Sequence, residues 1–173
     1  MTPVERLDEL SAESGSELWV KRDDRTAPLY GGNKVRKLEY LLGDARRRGA
    51  QALITTGADG SHHCLATTLF GTRWGFDVHT VVVPQARTAH VEENLRCALG
   101  AGANVHRVRA WPLVAAKVTQ LRATLTAKGQ SPYWIPHGGS SAVGVLGYVE
   151  AGLELATQID RGDMPEPDAI FVA

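Results

Sequence analysis

Cysteine is scarce in this sequence: Cys64 and Cys97 are the only two among 173 residues. Two cannot make a disulfide framework, which fits a reducing, cytoplasmic setting. Excess charge is missing as well. Lysine and arginine number 19 and aspartate and glutamate number 19, so no net field exists to steer a polyanion. That argues against nucleic acid or a membrane surface as partner. No apolar run nears the ~20 residues of a membrane-spanning helix, and the opening MTPVERLDEL has no signal-peptide core. Internal repeats, linkers and low-complexity tracts are also lacking. With 43% hydrophobic and 22% charged residues, the length allows one compact domain, or a small domain plus part of another.

What is present is an alternation of short β-rich runs and longer helical stretches. Leu18–Lys21 reads as a strand and Asn33–Arg48 as a helix, with Leu38, Leu41, Leu42 and Ala45 at helical spacing. Arg46–Arg48 suit the negative end of its dipole, and Gly49 is a plausible stop. Ala52–Thr56 is a buried-type strand, followed by the turn Gly57–Gly60 and a helix over Ser61–Trp74. The pattern repeats with strand Val78–Val83, helix Thr88–Leu99, strand Val105–Val108 and helix Pro112–Lys128. Tyr133–Ile135 is a strand stopped by Pro136. The turn Gly138–Ser141 leads into a long helix to about Asp160, and Ala169–Ala173 is a last apolar strand. Such alternation predicts an α/β fold with a largely parallel sheet. Three polar, glycine-bearing turns, Gly31–Lys34, Gly57–His63 and Pro136–Ser141, lie at helix starts, where such sheets collect ligands. The final strand has no following crossover helix, so the sequence reads as cut rather than ended.

The most informative segment is Trp19–Asp24 (WVKRDD) followed by Gly31–Glu39 (GGNKVRKLE). It sets Lys34 in the first turn of a helix, after two glycines. Positive charge at a helix N-terminus disfavours another cation and lowers a lysine pKa, as a nucleophilic amine requires. Glycines also let a ligand approach the backbone. The bland reading is a solvated basic helix start, because Arg36 and Lys37 follow closely. His62 and His63 next to Cys64, with His79 and His90 later, invite a metal reading. Adjacent side chains on a helix diverge by about 100°, and no second ligand pair is spaced to complete a site, so no metal is expected. Capping and surface histidines are the plainer alternative.

WVKRDD…GGNKVRKLEYL resembles the active-site segment of the pyridoxal-phosphate-dependent D-cysteine desulfhydrase and 1-aminocyclopropane-1-carboxylate deaminase family. The resemblance implies that Lys34 is the Schiff-base lysine and α-proton acceptor, and that Asn33 helps fix the local turn. Thr55–Ala66 (TTGADGSHHCLA) is similar to the family's Gly-x-x-Ser-Asn-His/Gln turn, which binds the substrate carboxylate and contacts the cofactor's phenolic oxygen. Carried over, Ser61, His62 and His63 are substrate-binding residues, with His62 also cofactor-binding. His62 departs from the family's Asn, which puts that oxygen contact in doubt. Tyr133–Tyr148 (YWIPHGGSSAVGVLGY) resembles a third family element and makes Ser140 a substrate contact, while His137 sits at a variable position. Gly144 and Gly147 can also be explained by close helix packing alone. Val78–Val108 resembles the small domain's strand–helix–strand and is assigned no chemistry.

The resemblance spans about Thr2 to Ala173 and implies a tryptophan synthase β-like fold, type II among pyridoxal-phosphate enzymes. Residues 1–34 would begin the large domain, 35–144 form the small α/β domain, and 145–173 return to a truncated large domain. Family members begin a few dozen residues earlier and continue for roughly as many residues again. The later part holds the phosphate loop and the partner of the pyridine nitrogen. The implied activity is β-elimination or deamination of a small amino acid to a keto acid and ammonia, weak or lost in this span alone. D-cysteine desulfhydrase-like chemistry is the first reading and aminocyclopropane-carboxylate deamination the alternative. A non-catalytic remnant that binds a partner chain is the alternative of another class. A homodimer is implied for the full-length enzyme.

Overall fold

A computed structural model describes residues 1–172. In chain order the elements are β1 (Val4–Arg6), α1 (Asp8–Ser14), β2 (Trp19–Lys21), α2 (Asn33–Arg47), β3 (Ala52–Ala58) and α3 (His62–Arg73). There follow β4 (Asp77–Val83), α4 (Ala89–Gly100), β5 (Asn104–Arg107), α5 (Val114–Ala127), β6 (Pro132–Trp134) and α6 (Ala142–Asp160). Short 3₁₀ turns occupy Asp23–Arg25, Trp111–Leu113 and His137–Gly139.

Four strands form one parallel sheet in the order β5-β4-β3-β6. The central β3 is covered on both faces, which is why ALITTGA reads as a continuous run rather than an alternating one. Leu53 packs with Leu38, Leu41, Leu42 and Ala45 of α2, Ala66 of α3, Val78 and Ile135. On the other face Ala52, Ile54 and Val81 meet Val118, Leu121 and Leu125 of α5. Each fully buried leucine stabilises by about 1.5–3 kcal/mol. The chain steps outward from β3 to β4 to β5, then returns through α5 and lays β6 on the far side of β3. Strand order therefore reverses between β3 and β6, and a ligand crevice opens beyond the carboxyl ends at such a point.

The amino-terminal region differs from the sequence expectation. Leu18–Lys21 does give a strand, β2, but it pairs antiparallel with β1 in a separate ribbon, Val4 opposite Lys21 and Arg6 opposite Trp19. The terminal strand expected over Ala169–Ala173 does not form. Residues 169–172 have no ladder partner, with Ile170 64% and Phe171 94% exposed. Ala173 lies outside the described residues. An apolar run becomes a strand only where another edge accepts its N–H and C=O groups, and none is offered among the described residues.

Helix α6 crosses α2 so closely that a Cβ on Gly147 would stand 2.2 Å from the Arg36 carbonyl oxygen. One on Gly144 would be 2.1 Å from that of Gly139. Both glycines thus have the packing role their spacing allowed. A charged cluster locks the same junction to the ribbon. Arg36 donates to Asp23 and, at 3.0 Å, to Glu154, which also accepts from Lys21 Nζ at 2.7 Å.

Candidate active site

The polar turns after β3 and β6 meet the start of α2 at the reversal point. Gly32 has φ +109°, open to glycine and strained for other residues. Its N–H donates to the Asp23 carbonyl at 2.7 Å and to Thr26 Oγ1 at 3.1 Å. These bonds fix the turn into α2. The N-cap residue is Gly32, which has no side chain to cap the helix, and Thr26 and Asp23 hold its amide. Asn33 is the first residue of the helix; its amide and that of Lys34 have no backbone partner among the described residues, while the Val35 N–H donates to the Gly32 carbonyl at 3.1 Å.

The basic cluster at this helix start is not uniformly solvated. Arg36 is buried and paired, as described. Lys37 Nζ donates to the Gly138 carbonyl at 3.2 Å and to Ser140 Oγ at 3.4 Å, tying α2 to the third turn. Lys34 differs from both. It is partly buried, its pKa is lowered by desolvation and then by the charge of Lys37, and no carboxylate or hydrogen bond offsets this among the described residues. Its own charge reaches the second turn, where it adds to the larger effect of burial in lowering the pKa of both His62 and His63.

Ser61 caps α3, its Oγ accepting from the Cys64 N–H at 3.4 Å. The amides of His62 and His63 have no backbone partner among the described residues, so this helix start is open to an anion. The two histidines diverge as their helical spacing requires. His63 is 3% exposed, its Nε2 lies 2.9 Å from Thr55 Oγ1, and its Nδ1 has no hydrogen-bond partner among the described residues. Burial first, then Lys34, brings its pKa down to about 3, so the ring is neutral. A Cβ on Gly139 would stand 3.5 Å from both His63 Cε1 and Lys37 Cβ, which places the third turn against the other two. His63 therefore lines the wall where those turns meet, and the exposed Ser140 stands beside Lys37. His137 stands edge-on to Trp111 with centroids 5.1 Å apart.

His62 is exposed, and both its ring nitrogens are engaged. Nδ1 bonds the Tyr30 hydroxyl, and Nε2 lies 2.7 Å from His90 Nε2 on α4. Sequence reasoning weighed His90 only as a metal ligand and gave no role to Tyr30 or Asn94. Only folding brings Tyr30 and His90 to His62, across 32 and 28 residues.

A family model described as pyridoxal-phosphate dependent enzyme matches residues 1–173. The chain belongs to that family. Among curated relatives, a D-cysteine desulfhydrase of Serratia proteamaculans is 40% identical over 169 residues, covering 94% of this chain and 51% of the relative. A nocardicin C-9' epimerase of Nocardia uniformis is 41% identical over 170 residues, covering 96% and 51%. The crystal structure of an ACC deaminase homologue superposes with TM-score 0.80 at 38% identity, covering 91% of this chain and 48% of that one. The fold is therefore that of the type II pyridoxal-phosphate enzymes. The chain spans about half the length of the curated relatives it matches.

The site fits the family's cofactor. An aldehyde needs an amine that is accessible and readily neutral, and Lys34 is the cation at this helix start without an offsetting partner among the described residues. Open amides at two helix starts supply donors for anionic groups. His62 fits less directly than expected, since its imidazole meets a cofactor oxygen only by releasing Tyr30 or His90.

Proposed function

We propose that this chain supplies the lysine-bearing half of an enzyme that eliminates or deaminates a small amino acid, in the manner of a D-cysteine desulfhydrase, giving a keto acid and ammonia. The observation that carries the reading is the state of Lys34: an amine with a lowered pKa and no counter-charge among the described residues, at the point where three glycine turns meet. Pyridoxal phosphate, when bound, supplies an electron sink for charge developing at the substrate's α-carbon.

The chain's own residues then divide the work. Lys34 Nζ holds the cofactor and, once released, takes the α-proton, for which a pKa nearer neutrality is the useful range. The amides of His62 and His63 with the Ser61 hydroxyl receive the substrate carboxylate, and Ser140 contacts the substrate from the third turn. His63, neutral and buried, adds no charge to that pocket. In domain terms, residues 1–34 and 145–173 would belong to the large domain and 35–144 to the small one. The complete enzyme would be a homodimer.

The test is direct. Titrated with pyridoxal phosphate, the chain should develop the absorbance of a lysine adduct, and borohydride should fix the added mass on Lys34. Both signals should vanish in Lys34→Ala. A chain that shows neither at millimolar cofactor would instead be a non-catalytic partner-binding half. If the adduct forms, sulfide release from D-cysteine separates the desulfhydrase reading from ring opening of aminocyclopropane-carboxylate.

A further inference from the structure

Lys34 makes no hydrogen bond and meets no counter-charge among the described residues, so its amine is aimed only by the main chain at its root. Gly32, two residues earlier, sets that root with φ +109° and ψ 175°. Glycine enters and leaves this conformation freely, and it persists only where neighbours hold it. The loop after β2 is the mould. A Cβ on Gly31 would stand 1.7 Å from the Asp24 carbonyl oxygen, so the two backbones lie in contact. The Asp23 carbonyl accepts from the Gly32 N–H at 2.7 Å. The Asp23 carboxylate accepts from Arg36, four residues further on, at 2.6 and 2.8 Å. Lys34 lies midway between these two anchors.

Among the described residues Thr26 alone closes on both polar groups of Gly32. Its hydroxyl accepts from the Gly32 N–H at 3.1 Å and donates to the Gly32 carbonyl at 3.3 Å. The same carbonyl takes the Val35 N–H that opens α2. One half-buried side chain thus fixes the peptide on either side of the glycine. We propose that Thr26 is the positioning residue of Lys34: its hydroxyl pins the turn from which the unpartnered amine projects. The role rests on the reading of Lys34 as the reactive amine. Without the hydroxyl, Gly32 keeps its bond to Asp23, so α2 still starts at the same residue. Its carbonyl side is then free to rotate, and the amine swings towards water. Burial is the larger cause of the lowered Lys34 pKa, ahead of the charge of Lys37, so that swing raises it.

Two measurements test the role. The first is competitive acetylation with acetic anhydride across pH, without cofactor, using the exposed Lys128 as internal reference. In the unaltered chain Lys34 should gain reactivity at lower pH than an ordinary lysine does. In Thr26→Val its curve should move up towards the ordinary range while that of Lys128 stays put. Thr26→Ser, which keeps the hydroxyl, should restore it. Second, the rate at which borohydride traps pyridoxal phosphate on Lys34 should fall about tenfold in Thr26→Val and recover in Thr26→Ser. Equal curves and rates in Thr26→Val and the unaltered chain overturn the positioning role while leaving Lys34 reactive. So does a Thr26→Ser chain as impaired as Thr26→Val. An unaltered chain whose Lys34 reacts as an ordinary lysine removes the reading of Lys34 and the proposal with it.

Discussion

The Thr55 hydroxyl has one hydrogen and two neighbours, the Ile135 carbonyl at 3.0 Å and His63 Nε2 at 2.9 Å. A carbonyl can only accept, so it takes the hydrogen and His63 Nε2–H donates to Thr55. One threonine thus sets the tautomer of a buried histidine and joins β3 to the turn after β6. Thr55→Val, equal in shape, should lower stability by about 1–3 kcal/mol in urea unfolding, since it leaves the imidazole N–H unpaired. Acid should act through the same ring. Its folded pKa is about 3, against 6.5 for an ordinary histidine. Between those values the unfolded chain binds a proton that the folded one refuses, so stability falls as pH drops from about 6.5 towards 3. Urea midpoints across that range should show a slope that His63→Phe reduces, and an equal slope in the variant would place the titrating group elsewhere.

At the scale of elements, the junction of α2, α6 and the β1–β2 ribbon is held by charge as much as by packing. Burial pushes the Glu154 carboxyl up, but hydrogen bonds from Arg36, Lys21 and the Thr2 amide outweigh it and bring the group to about 2. Its folded pKa is depressed from 4.5, so its contribution is complete above that value and is lost as pH falls towards 2. Glu154→Ala would leave Arg36 and Lys21 facing each other without their shared carboxylate. Loss of one partner from a buried pair costs about 3–5 kcal/mol, and thermal or urea unfolding should register it. Gly147→Ala presses a methyl onto the Arg36 carbonyl at 2.2 Å and must move α2 or α6. Overpacking of this kind costs about 1–3 kcal/mol. Since α2 carries Lys34, cofactor trapping should fall in this variant even under conditions where it remains folded. Helix α2 itself was legible, because Leu38, Leu41, Leu42 and Ala45 repeat at helical spacing. The role of Arg36 was not, because its partners Thr2, Asp23 and Glu154 lie 34, 13 and 118 residues away.

For the whole molecule, the strand–helix rhythm revealed a parallel sheet, and the glycine turns marked where its ligand crevice opens. Strand order was not readable, since nothing local in Tyr133–Ile135 says that β6 pairs with β3 rather than extending beyond β5. The terminal strand expected over Ala169–Ala173 is not seen over 169–172 because that run has strand chemistry but no edge to join among the described residues. The ribbon strand β1, only three residues long, carries too little pattern to be seen. Exposed apolar surface follows from the same accounting. Val145, Leu146, Val149 and Leu153 lie along the outer side of α6, each between 44% and 65% exposed, while Gly144 and Gly147 face inward. A row of exposed apolar side chains on one helix face is a surface that favours association. The chain should therefore self-associate as its concentration rises. Sedimentation velocity should show a mean mass that climbs with concentration, and Val149→Lys with Leu153→Lys should return it to the 18.7 kDa monomer. Both side chains point away from α2, so the double variant should keep its unfolding midpoint while losing association. A fall in that midpoint would mean instead that these residues contribute to the fold.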